Sequence, residues 1–278
     1  MEPILLHKIT RSSIESLDFD LPNFDSITTE LPMGLYTTFR TYAERTRVVG
    51  LRAHLDRLYL PAKLQEITMA RSREDLREIL ASLLKSLSPH EARVRLILDT
   101  TSESGTLYIL LQTLAALQPM LYERGVHVET SRSSREKPSL KQTAFIAQSS
   151  SDRKRVGGEI YEILLTRRGR ILEGMTSNFF YVREGALYTA GRGVLIGVTR
   201  QTLIALAKWE QIEIHYKALR LEELSSVDEA FITSSSRGVV PVVQIDAQQI
   251  RNGEVGDLTK KLMRLYDEEV LSIGEEIV

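Results

Sequence analysis

Apolar residues recur at helical spacing through Leu51–Glu66 and Arg73–Leu87, and the pattern predicts an amphipathic helix over each run. Ser72 leads the second, with Asp75 three residues on, which is the outline of a capping box. The rhythm then changes. Arg93–Asp99 and Thr106–Leu114 are rich in β-formers and are separated by Thr-Ser-Glu-Ser-Gly at residues 101 to 105, which predicts a hairpin-like connection closing a first α+β unit.

Farther on, β-rich runs at Glu159–Thr166, Asn178–Val182, Ala186–Ala190, Ile212–Ala218, Glu229–Ser235 and Val239–Ile245 are punctuated by Arg-Arg-Gly, Glu-Gly and Asn-Gly turns. Helical patterns at Thr199–Glu210 and Asp257–Val270 interrupt or follow them. Between Ser131 and Lys141 the chain turns polar and charged around a proline, the composition of an exposed connection. The expected organisation is therefore a mixed α/β (α+β) fold of two domains. Residues 1–131 form a small N-terminal α/β domain, 132–140 a connection, and 141–278 a larger β-rich C-terminal domain.

Composition narrows the function. A length of 278 residues suits about two domains. A net charge of −1 gives no reason to expect nucleic acid or a charged membrane surface as a partner. The uncharged stretch Ser104–Tyr122 contains Gln112, Gln118 and Pro119 and has no basic flanks, so it reads as a core strand running into a polar turn rather than a membrane span. Zero cysteines exclude disulfides, thiolate nucleophiles and Cys-ligated metals. With no glycosylation sequon and no N-terminal apolar segment either, the expectation is a soluble, cytoplasmic protein.

Phosphate-loop, nucleophile-elbow and His-Glu-x-x-His patterns are missing, and the five scattered histidines form no recognisable metal set. Two segments suit an anion. Leu195-Ile-Gly-Val-Thr-Arg200 opens a helix from a glycine turn, with Thr199 as a candidate cap, and free N–H groups at such a start attract phosphate. Thr233-Ser-Ser-Ser236 offers hydroxyls and N–H groups at a strand end. Each alone is a common turn.

Six segments in order form a larger pattern. They are Gly34-Leu-Tyr36-Thr37-Thr38-Phe-Arg40, His54-Leu-Asp-Arg57-Leu, Pro138-Ser-Leu-Lys141, Leu172-Glu173-Gly174-Met-Thr-Ser-Asn178, Leu195-Ile-Gly-Val-Thr-Arg200, and Asp228-Glu-Ala-Phe-Ile-Thr-Ser-Ser235 with Pro241-Val242. The chain from about Gly34 to Val242 resembles the class IV, fold-type IV pyridoxal-phosphate enzymes, which include branched-chain and D-amino acid aminotransferases and aminodeoxychorismate lyase. The resemblance implies pyridoxal 5'-phosphate as cofactor and a homodimer. It makes Lys141 the Schiff-base and proton-transfer lysine, a role that requires a deprotonated amine. Glu173 becomes the carboxylate facing the pyridine nitrogen, and Arg57 the phosphate clamp. Val198, Thr199, Ser234 and Ser235 would complete a phosphate cup, and Leu195 would pack on the ring.

The substrate side stays open. Tyr36 and Arg40 lie in the first motif, and Arg93 and Arg95 share one face of a strand, so any of the three arginines could meet a substrate carboxylate. Arg95 best matches the family's arginine in that strand, and Arg132 and Arg135 could reach over as a mobile clamp. The leading expectation is an aminotransferase acting between an amino acid and a 2-oxo acid. Thr37-Thr38 instead resembles the lyase branch, in which Thr38 would be catalytic and pyruvate would be eliminated to leave 4-aminobenzoate.

Overall fold

The computed structural model of the chain describes residues 3–87, 90–114 and 118–277. It divides into two compact units, Met1–Ala115 with Leu140–Gln148 and Val270–Val278, and Ala116–Ser139 with Ser149–Glu269. The first begins with β1 (Leu5–Ile9), β2 (Ile14–Leu17), α1 (Phe24–Glu30), β3 (Gly34–Arg40) and β4 (Arg47–Val49). Then come α2 (Leu51–Leu64), α3 (Arg73–Leu84), β5 (Ala92–Asp99) and β6 (Leu107–Thr113). The chain leaves for α4 (Pro119–Arg124) and β7 (Val126–Ser131), and returns for α5 (Ala144–Gln148). After α6 (Ser150–Arg155) the second unit holds β8 (Ile160–Arg167), β9 (Arg170–Gly174), β10 (Asn178–Arg183), β11 (Ala186–Thr189) and α7 (Val198–Trp209). It continues through β12 (Ile214–His215), β13 (Leu219–Arg220), β14 (Glu229–Ser234), β15 (Gly238–Ile245) and β16 (Gln248–Gln249) to α8 (Asp257–Ile273), and β17 (Gly274–Glu276) is the last element.

The units part at different residues from the expected boundaries. β7, expected in the first domain, lies between β15 and β8 in the second sheet, with parallel pairing to both. Lys141, expected at the start of the second domain, belongs to the first unit. Its carbonyl accepts from the Tyr36 N–H at 2.8 Å, and Thr143 and Gly34 exchange bonds two residues on. Of the Ser104–Tyr122 stretch, residues 115–117 lie outside the described residues, and the rest supplies β6 and the start of α4. Among the described residues no helix is long and apolar enough to cross a membrane.

In the first unit an antiparallel sheet runs β2-β1-β6-β5-β3. The two-residue period of its strands sorts side chains by face. Val94, Leu96 and Leu98 pack with Leu51, Leu55 and Leu58 of α2 and Leu76, Leu80 and Leu84 of α3. On the other face Tyr36 and Ile97 pack with Phe24 and Ile27 of α1 and Ile146 of α5. The α3 start carries the expected capping box: Ser72 Oγ accepts from the Asp75 N–H, and the Asp75 carboxylate accepts from the Ser72 N–H.

The second unit is a ten-stranded sheet ordered β12-β11-β10-β14-β15-β7-β8-β9-β13, with β16 on β15. Phe179, Tyr181, Ile232, Val240 and Val242 lie in its main core. The expected strand Ile212–Ala218 shrinks to Ile214–His215, which pairs at the sheet edge with β11.

Candidate active site

Register on β3 and β5 builds the first group of candidate residues. Tyr36 stands opposite Ile97, Thr38 opposite Arg95 and Arg40 opposite Arg93, so all three arginines share a face with Tyr36 and Thr38. Each arginine is stacked on an aromatic ring: Arg40 on Tyr42, Arg93 on Phe24, and Arg95 on both Phe24 and Tyr36. β5 is an inner strand, so Arg93 and Arg95 are not edge charges. Arg95 is buried. Its Nε donates to Thr38 Oγ1 at 3.0 Å, its Nη1 donates to Thr28 Oγ1 at 2.9 Å, and Nη1 also lies 2.8 Å from Asp25 Oδ1. Lys141 Nζ sits 5.0 Å from the centre of the Tyr36 ring.

Alternation sends Thr37 to the opposite face, where its hydroxyl meets His54 Nδ1 at 2.6 Å. The two threonines of the motif therefore have different duties. His54, on α2 three residues before Arg57, is 0% exposed, and its Nε2 has no hydrogen-bond partner among the described residues. Burial, and then the charges of Arg57 and Lys141, hold its pKa well below the ordinary histidine value, so the ring is neutral. Nothing in the local sequence pattern marks His54 beyond its place in the motif.

In the second unit Glu173 is the hub. It is 2% exposed; Oε1 accepts from Arg135 Nε at 3.0 Å and Oε2 from the Leu195 N–H at 3.0 Å. Arg135 also donates to the Met175 carbonyl at 2.7 Å, so this side chain is fixed rather than a mobile clamp, whereas Arg132 is exposed. The residues after Glu173 explain their own order. A Cβ on Gly174 would lie 2.0 Å from Ser177 Oγ, so glycine leaves room for that hydroxyl to reach Glu162. Thr176 Oγ1 donates to the same Glu162 oxygen, and Asn178 Nδ2 holds the Leu195 carbonyl at 2.7 Å.

Glu162, 1% exposed, also accepts from Arg237 Nη2 at 3.0 Å, and Arg237 Nε donates to Ser234 Oγ at 3.0 Å. A buried ion pair thus braces the hydroxyl turn after β14. Thr199 Oγ1 reaches Ser235 Oγ at 3.4 Å, which ties the start of α7 to that turn. α7 begins at Val198 behind Gly197, with no side-chain cap, so Thr199 is its second residue and not its cap. A Cβ at Gly197 would lie 2.2 Å from Asn178 Oδ1. First-turn N–H groups have no intrahelical acceptor, and the Thr233 hydroxyl next to the turn is buried with no hydrogen-bond partner among the described residues. This donor set suits a phosphate. Val198, Thr199, Ser234, Ser235, Leu195 and Glu173 are thus connected within the second unit, and Tyr36, Thr38, Arg95 and Lys141 within the first. Glu162, Arg237 and Asp25 carry no local sequence signal, because their partners are far off in sequence; Asn178 stands in the Leu172–Asn178 motif, but its bond to Leu195 does not show there.

Residues 34–245 match the amino-transferase class IV family. The chain is 30% identical over 279 residues to a Thermotoga maritima protein named a probable branched-chain-amino-acid aminotransferase, covering 98% of this chain and 97% of that one. It is 25% identical over 260 residues to a D-alanine aminotransferase of Listeria monocytogenes, covering 88% and 89%. Its fold matches a T.th. branched-chain amino acid aminotransferase complexed with N-(5'-phosphopyridoxyl)-L-glutamate, with a TM-score of 0.78, 19% identity and 98% coverage of both chains. On the family match and the full-length relative, this chain belongs to the class IV aminotransferases, which use pyridoxal 5'-phosphate.

Proposed function

We propose that this chain moves an amino group between an amino acid and a 2-oxo acid, with Lys141 as the amine that binds the cofactor covalently and shuttles the proton. The placement of Lys141 carries this reading. Its main chain is bonded to Tyr36, and its amine sits over the same ring that Arg95 covers from β5. A nucleophilic amine therefore shares a strand face with a cation suited to substrate carboxylate. The residues of the second unit fit the cofactor: hydroxyls and helix-start N–H groups for a phosphate, and a buried carboxylate for a ring nitrogen.

Bound pyridoxal phosphate supplies an electron sink for negative charge at the substrate α-carbon. The freed Lys141 amine would take the proton from the substrate α-carbon and deliver it to the cofactor side, as amino transfer requires. Glu173, oriented by Arg135 and the Leu195 N–H, would hold a proton on the ring nitrogen. Val198, Thr199, Ser234 and Ser235 would hold the phosphate, Arg57 would be its clamp, and Leu195 would pack on the ring. Tyr36, Arg40, Arg93 and Arg95 face the substrate, and Thr38 is oriented by Arg95. We further propose a cytoplasmic homodimer, which sedimentation of the purified holoenzyme tests.

Lyase chemistry is not favoured: the full-length relatives are named aminotransferases. Lys141→Ala should abolish amino transfer, read as loss of the cofactor absorbance change when an amino acid is added. A Lys141→Ala enzyme with wild-type turnover and no added amine would overturn the assignment.

A further inference from the structure

Arg95, stacked on Tyr36, carries a counter-ion from within the chain. Lys141 Nζ and the Arg95 guanidinium carbon lie 5.0 Å and 4.9 Å from the centre of one Tyr36 ring, which caps their separation. That cap is about 10 Å, while glutamate spans roughly 6 Å from amino nitrogen to side-chain oxygen and an ion pair adds about 3 Å. A dicarboxylic amino acid whose nitrogen takes the place of the lysine amine therefore has the length to reach Arg95. Arg95 is stacked on Tyr36, and it is 3% exposed.

That cation is already answered from within the chain. Asp25, in the first turn of α1, brings Oδ1 to 2.8 Å from Arg95 Nη1, while the hydrogen bonds of Nε and Nη1 go to Thr38 and Thr28. The contact with Asp25 is thus chiefly one of charge with charge. α1 is positioned by Phe24 and Ile27, which are buried with Tyr36 and with Ile146 just after Lys141, so the carboxylate is built into the wall. A second carboxylate arriving there meets a neutralised cation and a like charge beside it, whereas an apolar side chain meets the rings of Tyr36 and Phe24.

We propose that Asp25 is a specificity-determining residue: by neutralising Arg95 it turns the enzyme toward amino acids that lack a second carboxylate. This rests on the transaminase reading above. The experiment measures kcat/KM of the holoenzyme for glutamate and for leucine, each as both enantiomers, by the cofactor half-reaction. Asp25→Asn should raise the glutamate-to-leucine ratio by about tenfold or more, chiefly through KM. Asp20→Asn, in the exposed loop before α1, should leave the ratio unchanged. Arg95→Met provides a second arm and should leave the ratio at its wild-type value, because the cation is not serving the second carboxylate of glutamate. An unchanged ratio in a folded, cofactor-loaded Asp25→Asn enzyme, an equal rise in Asp20→Asn, or a tenfold fall of the glutamate-to-leucine ratio in Arg95→Met overturns the proposal. A wild-type cofactor that no amino acid converts overturns the transaminase reading itself, and the proposal with it.

Discussion

Each unit buries a charged side chain beside its candidate residues, but they do so with opposite polarity. In the first unit the buried member is a cation, Arg95, and its acid sits on a seven-residue helix with 31% of the side chain exposed. In the second unit the buried members are acids, Glu173 and Glu162, each locked by an arginine and by further donors from the 173–178 segment or its neighbours. Arg95 is answered by one partly exposed carboxylate and two threonine hydroxyls, whereas each buried acid is answered by an arginine and further N–H or O–H donors, so charge balance depends chiefly on Asp25 in the first unit and is spread over several donors in the second.

The largest effect is expected at Glu173. Glu173→Gln keeps the shape and an acceptor for the Leu195 N–H but removes the charge facing Arg135 and, on the proposed function, the charge offered to the ring nitrogen. The kcat of amino transfer should fall on the order of 10²-fold to 10³-fold, as for other preorganised electrostatic groups. Cofactor should remain bound, as judged by the absorbance of gel-filtered protein. A variant with near wild-type kcat would remove Glu173 from the chemistry and leave it a packing residue.

Arg237 sharpens the same contrast by testing the brace rather than the chemistry. Arg237→Met leaves Glu162 buried without its cation, a loss of about 3 kcal/mol at the low end of the range for broken buried pairs, because Thr176, Ser177 and the Ile163 N–H still donate to it. Chemical denaturation reads that loss. Adding Glu162→Gln should restore most of it, since the uncompensated charge then disappears. No recovery in the double variant would mean that Arg237 acts through packing on Tyr161, over whose ring it lies, and not through Glu162.

Much of this architecture is legible in the chain because its signals are local. The α3 capping box, the α7 pattern and the Glu229–Ser235 strand sit within a residue or two of their expected ends. Short elements with weak patterns escape: α1 is a Thr-rich seven-mer capped by Asn23, and β1 and β2 carry no turn signature strong enough to mark them. The candidate site divides the same way. Lys141, Glu173 and Arg57 can be picked out because they stand in ordered motifs. Asp25 and Arg95 are 70 residues apart, and Glu162 and Arg237 are 75 apart, so only the folded sheets reveal that they meet. Arg135 reads as a mobile clamp in a polar connection and proves to be buried against Glu173 for the same reason.

The smallest expected effect probes the buried neutral group of the first unit. His54 is held neutral chiefly by burial and secondarily by Arg57 and Lys141. Its folded pKa lies below the unfolded value, so protons favour the unfolded chain: the contribution to stability is present above about pH 6.5 and is lost as pH falls below it. The slope this adds is at most about 1.4 kcal/mol per pH unit, one proton's worth. His54→Gln keeps an amide for Thr37 and should remove that slope from urea midpoints measured between about pH 5 and about pH 7.5. His7, whose pKa burial also lowers, leaves a residual slope in both proteins. Lys141→Ala should change the slope little, because burial outweighs the lysine's charge in setting the His54 pKa. If removing Lys141 flattened the profile as far as His54→Gln does, charge rather than burial would govern the group. The first unit would then be as tightly coupled electrostatically as the second.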